Sequence, residues 1–496
     1  MLFNSLEFLI FFPIVMITFF LLPKKLRVPL LLVASYFFYA RWNVKYTLLL
    51  LTATVSSYAA GFLMEKVKES AGKKKAILWG SICLNVGMLG VFKYFNFVLA
   101  TMQKVLTKLG SGISISAPEI LLPMGISFFV FQAIGYVIDV YRGRIAPEKN
   151  FLNYALFISF FPQLVAGPIE RAERFLPQIQ NIKDIKAFDV KRIQRGTTLM
   201  LYGYSMKMII ADRAAIFVDK VFDLETFGNY RGGISWLAAF LFTIQIYCDF
   251  AGYTYIAIGC ARAMGFELMN NFHTPYLARS IKDFWARWHI SLTGWFRDYL
   301  YFPLGGSKKG KLRKYLNIFI VFLVSGLWHG AAWHFVFWGA IHGMLRIIEE
   351  LTEKPRARMR RLLLGKDDCF AVKFFQTCVT FLFVTVAWVT FRAPSIKHAL
   401  VYLKGMFTRL DPWVFFDGKI YKFGLDEKEI SVLFISIAIL ILVDILTYLK
   451  KDLIGMFIEQ PLWFRWIVVW AWIAAIVVFG IYGENYESSA FIYFQF

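Results

Sequence analysis

Cysteine is scarce in this chain, with five in 496 residues. Cys83, Cys248, Cys260, Cys369 and Cys378 have neither disulfide-framework nor metal-ligand spacing, which excludes a cysteine-stapled fold and leaves the thiols unpaired. Histidine is nearly as rare, with six residues: His273, His289, His329, His334, His342 and His398. They form no His-Glu-x-x-His pair and no carboxylate accompanies them, which argues against a zinc site. A Gly-x-Ser-x-Gly nucleophile elbow and a phosphate-binding loop are both missing. So are tandem repeats and any segment polar enough to be a soluble domain. Acidic residues number 33 against 55 basic, for a net charge of +22. That excess does not signal nucleic acid, because Lys and Arg cluster in loops between apolar runs, as the positive-inside rule describes.

What fills the chain is apolar surface. Hydrophobic residues make up 58% and aromatics 19%, and the mean hydropathy is +0.56. No soluble core hides that much. Runs such as Leu6–Leu22, Tyr46–Met64, Ser431–Leu449 and Phe464–Tyr482 are each long enough to cross a hydrocarbon layer of roughly 30 Å as a helix. Their continuous hydrophobicity excludes a β-barrel. The fold class is an all-α polytopic membrane protein. Leu6–Leu22 lacks a preceding basic region and a following cleavage site, so it reads as a retained first span.

Charge bias orders the spans. Lys24, Lys25 and Arg27 place the end of the first span in the cytoplasm and the N-terminus outside. Val28–Trp42, Tyr46–Met64, Ala76–Phe92 and Leu121–Tyr141 then alternate. Phe151–Gly167 carries basic residues on both sides, so it is expected to enter and leave on one face, broken at Pro162 and Gly167-Pro168. Such backbone is tolerated only within protein or beside water. Thr197–Phe222 goes out, Ile234–Ala263 returns, and residues 264–314 face the cytoplasm. The 315–345 segment is again flanked by basic residues on both sides. It is expected to be a re-entrant hairpin or two half-depth helices, broken near Ser325-Gly326 and Gly330, with His329 near mid-membrane. Phe374–Phe391, Ser431–Leu449 and Phe464–Tyr482 complete about ten crossings plus two re-entrant segments. Residues 483–496 form an extracytoplasmic tail. Residues 1–496 read as a single membrane domain.

Ionisable groups at membrane depth are costly, which makes them functional candidates. His329 coincides with the expected helix break and can exchange a proton near neutral pH. His334 and His342, further along the second arm, read as structural. Asp283–His289 is amphipathic and aromatic and is followed by Ser291, Trp295, Arg297 and Asp298. Two readings stand for it: an interfacial helix resting on the bilayer, or a cytoplasmic entrance for an anionic ligand. The Lys308–Lys314 cluster suits either.

Asp283–Gly306 (DFWARWHISLTGWFRDYLYFPLGG) and Gly326–His334 (GLWHGAAWH) resemble the two signature blocks of membrane-bound O-acyltransferases. Leu122–Arg142, Phe160–Ala172 (FFPQLVAGPIERA), Ile246–Ile258 (IYCDFAGYTYIAI) and Phe491–Phe496 (FIYFQF) match in order over nearly the whole chain. The set is most similar to the bacterial branch of alginate and peptidoglycan O-acetyltransferases, located in the plasma (inner) membrane. Teichoic acid D-alanyltransferases share the two histidine blocks.

The resemblance implies a ring of helices around a central funnel, with His329 as the essential histidine and His289 as its companion. It implies acetyl-CoA as a donor substrate rather than a bound cofactor, and an exported polysaccharide as acceptor. It also implies an extracytoplasmic SGNH-hydrolase-type partner. Arg287, Arg297, Trp288 and Trp328 are then candidates for donor binding. Tyr493, in a short aromatic C-terminus like that of small partner proteins in the D-alanyl branch, is a candidate acyl relay; the bland reading is interfacial anchoring. D-alanyl transfer from a carrier protein is the runner-up. A transporter or a non-catalytic export scaffold is the alternative of another class.

Overall fold

A computed structural model describes residues 1–482 except 117, 119, 166, 224–231, 365–368 and 409. The tail at 483–496, with Tyr493, lies outside the described residues. The structure is 77% helical, without strands among the described residues. In chain order the helices are α1 (Leu6–Leu21), α2 (Arg27–Ala40), α3 (Thr47–Lys66), α4 (Ala71–Leu89), α5 (Phe95–Lys108), α6 (Ile126–Tyr141), α7 (Phe151–Ser159), α8 (Phe161–Leu164) and α9 (Ala172–Gln180). There follow α10 (Val190–Tyr204), α11 (Asp212–Val221), α12 (Gly233–Met264), α13 (Ile281–Arg287), α14 (Ile290–Phe296), α15 (Lys311–His329) and α16 (Trp333–Leu351). The last are α17 (Glu353–Leu364), α18 (Phe370–Arg392), α19 (Ile396–Phe407), α20 (Glu427–Tyr448), α21 (Leu453–Ile458) and α22 (Leu462–Phe479).

Among the described residues six helical stretches are long and apolar enough to cross a membrane: α3, α4 through α5, α12, α18, α20 and α22. Two shorter apolar helices, α1 and α6, join them. The protein is therefore membrane-embedded and multi-pass. The span expected over Ala76–Phe92 runs on to Lys108, because Gly90–Tyr94 continues it as a π turn and no proline intervenes. A π turn also joins α10 to α11 across Ser205–Ala211.

The chain divides into two compact units, residues 1–197 with 256–269 and residues 198–255 with 270–496. In the first unit the expected break in Phe151–Gly167 is present. Helix α7 stops at Phe160, and Pro162 sits in the first turn of α8, where its missing N–H costs nothing. The broken backbone is satisfied by side chains, as burial demands. Gln132 and Gln163 both donate to the Phe157 carbonyl at 2.6 Å, and the Phe161 N–H donates to Ser35 Oγ at 3.0 Å. Gly167 has no room for a side chain, since a Cβ there would lie 2.3 Å from Gln163 Cα.

Just beyond, the buried Glu170 accepts from the Met269 N–H. Burial pushes its carboxyl up to about 7, against the pull of Arg174 and Arg171. A carboxyl raised in the folded state costs nothing below its unfolded pKa. The cost grows as pH rises towards 7 and is complete above it. Glu170→Gln keeps the acceptor for Met269 and removes the charge. Its thermal unfolding midpoint is expected to equal that of wild type near pH 4 and to exceed it by several degrees at pH 8. A pH-independent difference would contradict this account.

Candidate active site

The second unit holds the two signature blocks, and one close contact positions them. Helices α15 and α16, 19 residues each, form an antiparallel hairpin joined by Gly330–Ala332. Glycines let the backbones touch. A Cβ on Gly326 would lie 2.2 Å from the Phe335 carbonyl oxygen, and one on Gly339 would lie 2.2 Å from that of Phe322. Gly326 is thus a packing position, and α15 runs unbroken through Ser325-Gly326. The break expected there is at Gly330 alone, whose extended backbone (φ −162°, ψ 149°) ends α15 immediately after His329. Each arm rises about 28 Å at 1.5 Å per residue, longer than half the hydrocarbon thickness. The expectation of half-depth helices is corrected to that extent.

His329 therefore sits at the hairpin tip, 2% exposed. Aromatic rings box it in: Trp328 at 5.0 Å between centroids, Trp338 at 5.1 Å and Phe391 of α18 at 5.6 Å, all edge-on. Trp338 is in turn stacked on Trp388 of α18. The His289 ring lies 6.4 Å away, itself fully buried against Phe250 at 4.7 Å and Trp328 at 5.8 Å. The structure thus brings the two expected histidines together, with Trp328 touching both.

His289 is held by backbone conformation. It adopts the left-handed region (φ 44°, ψ 52°), as does Thr274 (φ 45°). For residues bearing side chains such conformations cost roughly 1–3 kcal/mol and persist only where the surroundings enforce them. Here two backbone bonds do so: Ile290 N–H donates to the Asn271 carbonyl at 2.9 Å, and His273 N–H to the Arg287 carbonyl at 3.0 Å. The buried Asn271 side chain adds an acceptor for Ser291 Oγ at 2.6 Å. Behind Phe250, the neighbouring Asp249 pairs with buried Lys207 at 2.6 Å, and Lys207 also meets Asp212 at 2.8 Å. This triad ties α12 to the π turn between α10 and α11.

The Asp283–His289 stretch is not one interfacial helix. It breaks at Trp288-His289 into α13 and α14, and Phe284, Trp285, Trp288, Leu292, Trp295 and Phe296 are buried. The N–H groups of Ile281 and Lys282 donate to the two carboxylate oxygens of Glu349 at 2.7 and 2.9 Å, anchoring the start of α13 to α16. Arg287 is engaged locally, with Asp283 at 2.7 Å, Thr274 Oγ1 at 3.2 Å and the Tyr448 ring beneath its guanidinium. Trp288 is packed among Phe272, Phe284 and Trp388. Arg297 is largely exposed beside Asp298. His342, read as structural, accepts from the Trp285 indole at 3.3 Å and packs against Trp338. The His334 ring lies tilted against that of Phe335, 4.1 Å between centroids. Among the described residues no group of three or more His, Cys, Asp or Glu side chains gathers to hold a metal ion.

Asn271, Glu349, Trp388 and Phe391 escaped the sequence reading. Glu349 alone carried a signal, as an acid ending an otherwise apolar segment.

A buried pair of imidazoles suits proton transfer. The sequence model of the membrane-bound O-acyltransferase family matches residues 146–362. The "Probable alginate O-acetylase AlgI" of Pseudomonas putida is 38% identical over 409 residues, covering 82% of this chain and 80% of that protein. The chain belongs to the membrane-bound O-acyltransferase family. The peptidoglycan O-acetyltransferase of Helicobacter pylori is 35% identical over 440 residues, covering 82% of this chain and 80% of that one. A teichoic acid D-alanyltransferase of Bacillus subtilis is 26% identical over 282 residues, covering 55% and 70%. This membrane-bound O-acyltransferase is an O-acetyltransferase by class.

The tip geometry makes a sharp demand. A Cβ on Gly330 would lie 2.1 Å from the Phe335 ring. Gly330→Ala is expected to lower O-acetyltransferase activity at least tenfold, and Phe335→Leu in the same chain to restore part of it. Wild-type activity in Gly330→Ala alone would show that the tip does not constrain His329.

Proposed function

We propose that this enzyme moves an acetyl group from cytosolic acetyl-CoA across the membrane for O-acetylation of an exported polysaccharide, alginate-like or of the cell wall. The observation that carries the reading is the pair His329 and His289, buried 6.4 Å apart in one aromatic box. Relatives named for alginate and peptidoglycan O-acetylation support the acceptor class.

In this mechanism His329 is the general base. The acceptor hydroxyl gives its proton to the imidazole as its oxygen attacks the thioester carbonyl carbon. Negative charge then gathers on the carbonyl oxygen, where a donor N–H from His289 stabilises it. The carbon–sulfur bond breaks, and the leaving thiolate takes the proton back from His329. The products are an O-acetyl ester and free CoA. The surrounding tryptophans exclude water, which would otherwise hydrolyse the thioester.

The thioester enters from the cytoplasmic side and the hydroxyl from outside, so CoA never crosses. Arg297 and the Lys308–Lys314 cluster meet the CoA phosphates, while Arg287 holds the loop that presents His289. Tyr493 relays the acetyl group to an extracytoplasmic SGNH-hydrolase-type partner.

Reconstituted His329→Ala protein supplied with acetyl-CoA is expected to turn over about 10²–10⁴-fold more slowly, the usual weight of a general base. The wild-type protein, stopped early, should carry a donor-dependent acetyl ester on Tyr493 in peptide mass spectra. Wild-type turnover by His329→Ala sinks the base assignment, and an unmodified Tyr493 sinks the relay. The D-alanyltransferase relative gives the second reading, transfer from a charged carrier protein. Offering the carrier and acetyl-CoA in turn separates the two.

A further inference from the structure

A half-enclosed cavity of about 490 Å³ lies among α20, α22 and the π turn Ser205–Ala211, well within the size of small-ligand sites (roughly 300–1,000 Å³). Met206, Ile209, Leu440 and Val443 make its walls, and Tyr202, Ser205, Ser436 and Trp472 bring the side-chain polar atoms among the described lining. Ser205 is already engaged, accepting from the Trp472 indole at 2.7 Å and donating to the Leu201 carbonyl at 3.0 Å. A space lined this way does not hold water well. Its two long walls, α20 and α22, are the most apolar of the described membrane-crossing helices. Among the described residues both are mostly uncovered, which suits walls that face lipid.

The second observation is a cation where the cavity ends. Phe479, part of the lining, accepts through its carbonyl from Arg213 Nη2 at 2.9 Å. Arg213 is 5% exposed, and its Nε and Nη1 have no acceptor among the described residues. A buried guanidinium with two idle N–H groups is expensive, and phosphate oxygens match its fork. The Glu429 and Asp426 carboxylates act on Arg213 electrostatically without closing an ion pair among the described residues. They cap the start of α20. A guanidinium beside carboxylates complements a headgroup that carries a phosphate and an ammonium together. The same carboxylates repel a net-negative headgroup.

We propose that this cavity binds one zwitterionic aminophospholipid, with an acyl chain in the apolar space, the phosphate on Arg213 and the ammonium toward Glu429 and Asp426. The site is separate from the histidine pair, and its occupancy does not depend on the acyl-transfer mechanism.

The test is native mass spectrometry of the full chain exchanged into vesicles of equal phosphatidylethanolamine and phosphatidylglycerol. Wild type is expected to retain one phosphatidylethanolamine with at least about tenfold preference, the equivalent of one charge-assisted hydrogen bond. Ser436→Trp fills the cavity and is expected to lose the retained lipid while eluting as wild type and keeping its acyl-transfer rate. Arg213→Gln is expected to lower retention of both headgroups, and Asp426→Asn with Glu429→Gln to keep a lipid but bring the two headgroups to parity. Equal retention by wild type and Ser436→Trp overturns the proposal. So does a preference for phosphatidylglycerol, or for an added polyprenyl phosphate.

Discussion

The placement of the histidine pair depends on one close approach. Helices α15 and α16 touch backbone to backbone at Gly326 and Gly339, where a methyl group would sit 2.2 Å from a carbonyl oxygen. In a membrane helices gain nothing from hiding apolar surface from one another, so small residues that permit such contact set the packing. Because the arms lie this close, three residues suffice to turn the chain, and the residue before the turn is His329. The aromatic box follows, since Trp338 and Phe335 on the returning arm face back toward the tip and meet Phe391 of α18.

The companion histidine reaches the same place by a different device. His289 stands at a break between two short helices, in a backbone region that only enforced geometry maintains. Asn271 and the paired loops supply that geometry, and Glu349 anchors the first short helix to the hairpin. Both histidines are thus placed by one hairpin, one through its tip and one through its side. Each of the two signature blocks contributes a histidine, and neither makes the box without the other.

Much of this was legible in the residues. Apolar run length identified the membrane class, and the break expected within 315–345 is present at Gly330, between α15 and α16. Proline at 162 marked the break in the other doubly flanked segment. Three features were not legible, each for a physical reason. Gly326 read as a helix breaker because a membrane glycine looks the same whether it bends a helix or admits a neighbour. Asp283–His289 left an interfacial helix and a ligand entrance both open, because Trp and Arg are common both at membrane interfaces and in buried clusters, and only tertiary contact separates them. Asn271 is a short-range partner in a loop of no regular period, so no pattern pointed to it.

The central claim is that acyl transfer occurs between His329 and His289 inside the aromatic box. Its most direct test is a cryo-electron microscopy map of the protein with a non-hydrolysable acetyl-CoA analogue in which a methylene replaces the thioester sulfur. The account predicts density for the carbonyl mimic between the two imidazoles, against Trp328, with the phosphates toward the Lys308–Lys314 end of α15. An analogue bound with its carbonyl mimic away from both histidines would contradict it.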